Sequence, residues 1–442
     1  MYDSEAQLHQ QILTLLDKPW YGYASPGGDG KFIIDTLREL THHHNGYVRE
    51  KAVKALALKE DITALGELLS RVNDWVVPIH LAAVDAVMAL LTRANVPAFI
   101  THLPTIRQLA ERRRYDHRDL VHAISRFLVT CDLPAVQQAL NSPVREIRDA
   151  ALHTLIEQGK LYDEDALLTV LNNRDSTLRA IAVEDWLQHH RALSASLQAR
   201  LLCDPWVRIR RATLFYLDEH RQIPPETLYR RLLLDKNALI QQRTRHMLAG
   251  RIDATAFWLT VVASEHYPLV QRCSALYGLK ESRYPGITER AQWAYAQGET
   301  GLRKAALTIL VALEGENAKA QVLDSLADPR LPVALTAWKV LSQAAIRLTA
   351  DEVQLLMDNP PTPSHRFLYW RLLHLQNKWD WLILLLRNCA LLSADELDAE
   401  RQAWVSQFNQ AGIAPTGGQR ESLAKLLPLA PELQKAIGIY LR

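Results

Sequence analysis

A chain of 442 residues is too long for one ordinary core, so several domains or a repeat array are expected. Hydrophobic residues make up 48% and charged residues 23%, with a formal net charge of +2. That balance excludes a strongly basic or acidic chain driven onto nucleic acid or membrane by its global field, and the low glycine count of 17 favours helix.

Residues 1–19 read as a capping helix with Leu8, Ile12, Leu15 and Leu16 on one face. The opening MYDSEAQLHQ carries no basic-then-apolar signal pattern, so a soluble cytoplasmic protein is the expectation. Residues 20–31, WYGYASPGGDGK, form a Gly-rich loop ending in Gly30-Lys31. It fails the phosphate-loop pattern, because Ser25 stands where the first glycine belongs and Phe32 follows the lysine. His42, His43 and His44 are consecutive, so their side chains diverge and read as a polar turn rather than a metal site.

From there the chain repeats. A polar residue recurs at the start of a helical pattern: Arg49, His80, Arg118, Arg148, Arg179, Arg210, Arg243, Arg272, Arg303, Pro332 and Arg366. The steps are 31, 38, 30, 31, 31, 33, 29, 31, 29 and 34, and seven of these ten lie between 29 and 31. Copies include VREKAVKAL (48–56), IRDAALHTL (147–155), IRRATLFYL (209–217) and LRKAALTIL (302–310). Small residues follow the mark by two and three positions and large apolar ones by four and seven, which is one face of a helix. Asp or Asn precedes many copies (Asn73-Asp74, Asn141, Asp175, Asp204, Asp235, Asp328), as turn and cap chemistry requires. Upstream of each lies a second apolar segment, such as 63–69, 134–140 or 164–171, so each unit reads helix, turn, helix, with no strand needed. The 38-residue step is an elongated repeat around QLAERRRYDHR, whose Arg112, Arg113, Arg114 and Arg118 read as a salt-bridged or solvated face before they read as a phosphate contact.

On these copies the chain resembles the HEAT-repeat proteins, and more closely the short bacterial HEAT-like repeats of the phycobilin-lyase type, over about residues 31–375. The fold class expected is all-α: a right-handed α-solenoid with helical caps, in which stacked helix pairs share a core that none could close alone. The domain division expected is 1–31 (capping helix and loop), 32–358 (repeat array) and 359–442 (degenerate repeats and a Trp-rich cap with Trp370, Trp379, Trp381 and Trp404), after the break NPPTPS.

Nothing in the sequence rises to an enzyme, and neither cofactor nor metal site is expected. Cys131, Cys203, Cys273 and Cys389 are scattered without metal spacing, and neither HExxH nor GxSxG occurs. The repeated arginines recur at one structural position, so they read as a ladder bonding turn carboxylates or helix-end carbonyls of neighbouring units.

Function is then sought in what the repeat does not dictate. Positions one and five after each mark should line the concave groove. They read Glu50, Leu81, Asp119, Asp149, Ala180, Arg211, Thr244, Cys273, Lys304, and Lys54, Asp85, Ala123, His153, Glu184, Phe215, Leu248, Tyr277, Thr308. Up to Glu184 they hold five carboxylates and one lysine; from Arg211 on, two bases and no acid, with Phe215 and Tyr277. The candidate partner-binding residues are Asp85, Asp119, Asp149, His153, Glu184, Arg211, Phe215, Tyr277 and Lys304. An acidic half suits a protein partner with a basic patch and repels a phosphate backbone. The resemblance implies an immunity protein of Rhs or type VI secretion toxin loci, a monomer when free, that clamps a basic toxin domain. Two alternatives stand beside it: an alkylpurine DNA glycosylase-like or other nucleic-acid-binding HEAT protein, using Trp206 and Arg208–Arg211, and a general assembly scaffold. Bilin-lyase activity follows only from the repeat's family name.

Overall fold

The computed structural model describes residues 29–189, 193–408, 414–429 and 431. The expected capping helix at 1–19 and most of the Gly-rich loop lie outside the described residues. Asp29–Lys31, expected to end that loop, instead open the helix Asp29–Leu40. Among the described residues every regular element is helical, so the chain is an all-α array of HEAT-like helix pairs.

The chain divides into two compact units, Met1–Gln222 and Ile223–Arg442. In the first, the helix pairs include Asp29–Leu40 with Gly46–Lys59, Glu164–Leu171 with Ser176–His189, and Ala195–Leu202 with Val207–Glu219. In the second they include Ala254–Ala263 with Leu269–Glu281, Ile287–Ala296 with Thr300–Glu314, and Lys319–Leu326 with Leu331–Gln343. The expected boundary at 358/359 falls in the turn between Ala350–Asp358 and Pro363–Leu373, itself a helix pair.

Five of the turns are made by a carboxylate. The side chains of Asp74, Asp175, Asp204, Asp235 and Asp328 accept the amide two residues on, at 2.8–3.0 Å. That satisfies a backbone donor the following helix leaves orphaned. Inside the stack, the residue three after the ladder position is small and sealed from solvent: Ala52, Ala83, Ala151, Ala182, Thr213, Ala275, Ala306 and Ala337 are each 0% exposed. A small side chain there lets consecutive second helices approach closely. Seven after it sits a large apolar residue in the core, such as Leu155, Leu217, Leu279 and Leu310.

The elongated repeat departs from the pattern. Its first helix is broken into Val96–Thr101 and Leu103–Leu109, and residues 110–117 are a loop rather than the helix face expected there. Its second helix runs directly into the next unit through a kink at Asp132, where φ is −153° and ψ 70°, just before Pro134. Trp379, Trp381 and Trp404 are buried as expected of a cap, with the Trp404 indole N–H donating to the Lys378 carbonyl at 2.6 Å.

Candidate functional site

The repeated arginine belongs to the scaffold. Arg49 donates through Nη1 to the His43 and His44 carbonyls of its own turn, at 2.9 and 3.0 Å. Through Nε and Nη2 it forks Asp74 of the next turn, both at 3.0 Å. Arg179 does the same with the Asn173 and Arg174 carbonyls (2.9 and 3.3 Å) and with Asp204 (3.1 and 3.0 Å). Arg148 pairs with Asp175 at 2.8 Å in the first unit; Arg272 pairs with Glu299 at 2.7 Å and Arg303 with Asp328 at 3.1 Å in the second. A planar group with five donors is needed, one edge for two carbonyls and the other for a carboxylate. The Arg148 hydrogen bond holds the Asp175 carboxyl below its ordinary range. Burial works against the charged form of Asp74, and the Arg49 fork with the Val76 amide outweighs it, so that carboxyl is lowered too.

The structure corrects four of the marks. Arg118 is the first residue of its helix, exposed and paired with Asp116 at 2.5 Å; Val121 is the buried residue of that register. The ladder position is Gln241 rather than Arg243, Ala334 rather than Pro332, and His365 rather than Arg366, each buried. From Arg148 through Arg179, Arg210, Gln241, Arg272, Arg303, Ala334 and His365 every step is 31 residues. Gln241 and His365 bond backbone carbonyls of Ser274 and Asp328, both at 2.9 Å, so amide and imidazole replace guanidinium. As a consequence Thr244 and Leu248, expected on the groove stripes, are core residues only 1% and 2% exposed, and Asp119 and Ala123, counted from Arg118, lose their stripe positions. Ala180, also expected there, is buried too.

The nine candidate binding residues all reach the surface. Asp85, Asp119, His153, Arg211 and Phe215 are exposed; Asp149, Glu184, Tyr277 and Lys304 are half-buried. The first seven in chain order lie in the first unit, Tyr277 and Lys304 in the second. The acidic stripe is weaker than the count of carboxylates suggests. Lys54 pairs with Glu50 at 2.5 Å, Arg145 with Asp149 at 3.5 Å, and Arg208 with Glu184 at 2.6 Å. Among the described residues no ion pair engages Asp85 or Asp119, although the Arg118 guanidinium, held up first by Asp116, also feels the Asp119 charge. In the second unit burial pushes the Tyr277 phenol up, which keeps it neutral.

Two of these residues share a cleft of 820 Å³ between the helices Ser176–His189 and Val207–Glu219. Glu184 and Phe215 line it with Leu187, His189, Tyr216, Glu219 and His220 among others, and among the described residues no lysine or arginine lines it. The His220 ring stacks on Tyr216 at 4.0 Å. Burial, followed by the nearby Glu219 charge, raises the Tyr216 phenol. Tyr216, Glu219 and His220 were missed because the groove stripes stopped five residues after the mark; Glu219 lies four residues beyond Phe215, on the same helical face.

The Arg-rich insertion is tied down locally. Tyr115 stacks on His80 with ring centroids 3.9 Å apart, buried His117 contacts the Asn73 amide oxygen at 3.2 Å, and Arg114 donates to the Asn73 carbonyl at 3.1 Å. Arg107 forks Glu157 at 2.6 and 2.7 Å. At the triple histidine, the Asn45 amide donates to His43 Nδ1 at 3.1 Å, as a polar turn requires. Among the described residues no His, Cys, Asp and Glu group could hold a metal ion, and no single helix is long and apolar enough to cross a membrane.

No family model matches this chain. No curated protein matches it either. Solved structures do. The chain is similar to Kap95p from its assembly with RanGDP, at 10% identity and TM-score 0.33, covering 93% of this chain and 64% of that one. It is similar to the Cnd3–Cnd2 condensin subcomplex of S. pombe, at 14% identity and TM-score 0.37, covering 91% and 66%. It is also similar to the tubulin-recruiting TOG domain arrays of microtubule polymerases, at 10% identity and TM-score 0.24, covering 89% and 99%. The chain spans less than two thirds of the first two proteins' lengths.

Proposed function

We propose that this protein is a non-enzymatic binding solenoid that holds a protein partner on the exposed stripe of its second helices. The observation that carries this reading is a division of labour along each second helix. The repeating arginines are consumed by turns and carboxylates within the stack, whereas the exposed positions beside them do not repeat. Asp85 offers a carboxylate that no ion pair engages among the described residues, and Phe215, 39% exposed, offers an aromatic anchor of the kind that dominates binding energy. Stripe carboxylates disfavour a phosphate backbone and favour a basic protein surface.

The specific role we propose is that of a cytoplasmic immunity protein, of the short-repeat HEAT kind, that occludes a basic toxin domain. The test is capture from the native host with tagged wild type, Asp85→Lys and Phe215→Ala. A stoichiometric protein held by wild type and lost by both variants is the expected result. Relief of a neighbouring gene's toxicity on co-expression would identify that protein as a toxin. Capture of nucleic acid in its place, or equal capture by all three forms, overturns the reading.

A further inference from the structure

The cleft between Ser176–His189 and Val207–Glu219 has a feature that the stripe alone does not explain. At its edge Arg208 donates through Nε and Nη2 to the two oxygens of Glu184, at 2.6 and 2.7 Å, across the two helices. The same guanidinium lies 5.8 Å from the centre of the Trp206 ring. It is not buried structure like the ladder arginines: its side chain is 48% exposed and that of Glu184 35%. Ladder pairs such as Arg179–Asp204 are 9% and 0% exposed by the same measure.

We propose that this cleft is an arginine-recognition site, and that Arg208 is an internal stand-in which a partner's arginine displaces. The proposal rests on the protein-binding reading above. Glu184 is already aimed for a two-point fork, which a planar guanidinium satisfies and an ammonium cannot. An incoming arginine forms the same fork from the open side of the cleft. Its face meets Phe215 and the Tyr216–His220 stack, and Glu219, exposed at the far end of the helix, supplies the second carboxylate. The exchange is cheap because the pair it opens is exposed, and an exposed ion pair contributes little. One fork is broken as another forms, and Arg208 returns to water. Among the described residues the lining holds two carboxylates, two histidines and no lysine or arginine, so its charge complements an arginine-bearing segment of a protein and not a phosphate.

The test is fluorescence anisotropy on the full chain with fluorescein-labelled hexa-arginine and hexa-lysine peptides at low salt. Hexa-arginine should bind about threefold or more tighter than hexa-lysine. Glu219→Gln should weaken hexa-arginine roughly fivefold. Arg208→Ala should act in the opposite sense and tighten it by about three- to tenfold, since the internal competitor is gone. These side chains are exposed, and unchanged thermal melts confirm that each variant is folded. Binding that Arg208→Ala weakens or leaves unchanged overturns the proposal, as does equal affinity for both peptides or preferential binding of a single-stranded oligonucleotide. Loss of the captured protein with Phe215→Ala but not with Glu219→Gln, together with silent peptide data, removes this inference and leaves the protein-binding reading. Capture indifferent to every stripe variant removes that reading itself.

Discussion

Arg179 shows what a single ladder residue does. Its guanidinium closes its own turn through two carbonyls and fixes the next turn through Asp204, with both partners buried. Removing Arg179 leaves buried Asp204 only its longer ion pair with Arg200 at 3.5 Å, so Arg179→Ala should cost about 3 kcal/mol in urea unfolding, with Arg179→Lys recovering only part. Acid should act on the same bonds. The Asp175 carboxyl is lowered by the Arg148 hydrogen bond, so its contribution is fully present above the ordinary value of 3.8 and is lost as pH falls through its lower folded value. Melting temperature should therefore hold from neutral pH to about 4.5 and drop below about 4, and Asp175→Asn should flatten that drop. The ladder was legible in the sequence because arginine and aspartate recur at fixed spacing. Gln241 was not legible, because Arg243 two residues later imitates the mark and an amide replaces the guanidinium.

Single helices were legible wherever apolar spacing followed the 3.6-residue period. Their exact buried faces were less so. Of the two small residues that follow Arg210, Ala212 is half-buried and lines the cleft, while Thr213 beside it is the sealed one. Ile209 is 1% exposed, as its position before the arginine demands, and Ile209→Asp should cost about 3 kcal/mol or more by burying an unpaired charge. Gly278 in the helix Leu269–Glu281 gives a sharper test. A glycine inside a helix is normally improved by alanine, by about 0.5–1 kcal/mol. Here an added Cβ would come within 2.7 Å of the Trp258 ring, which is itself pinned by its indole bond to the Leu233 carbonyl. Gly278→Ala should therefore destabilise the second unit, by about 1–3 kcal/mol in thermal or urea unfolding. The split first helix of the elongated repeat and the kink at Asp132 left no periodic trace, because a break costs the pattern only a residue or two.

At the scale of the molecule, the sequence was most informative where it repeats and least where it does not. The all-α class and the scaffold arginines follow from the 31-residue period. The division at Gln222/Ile223 has no such signal, because the period runs through it unbroken from Arg210 to Gln241. All nine chosen stripe residues reach the surface. Its charge was overstated, because sequence spacing does not reveal that Lys54, Arg145 and Arg208 already occupy three of its carboxylates. What remains is Asp85, which no ion pair engages among the described residues, and the exposed part of Phe215, and the binding claim rests on them. Phe215 is the most exposing choice for a test, since it is 39% solvent-exposed and its loss removes an anchor without opening the core. The deciding measurement compares partner capture by wild type and Phe215→Ala at matched melting temperatures. A roughly tenfold loss of captured protein with the fold intact is the result predicted. A partner held equally by both forms, or a variant that unfolds, would contradict the assignment of this face.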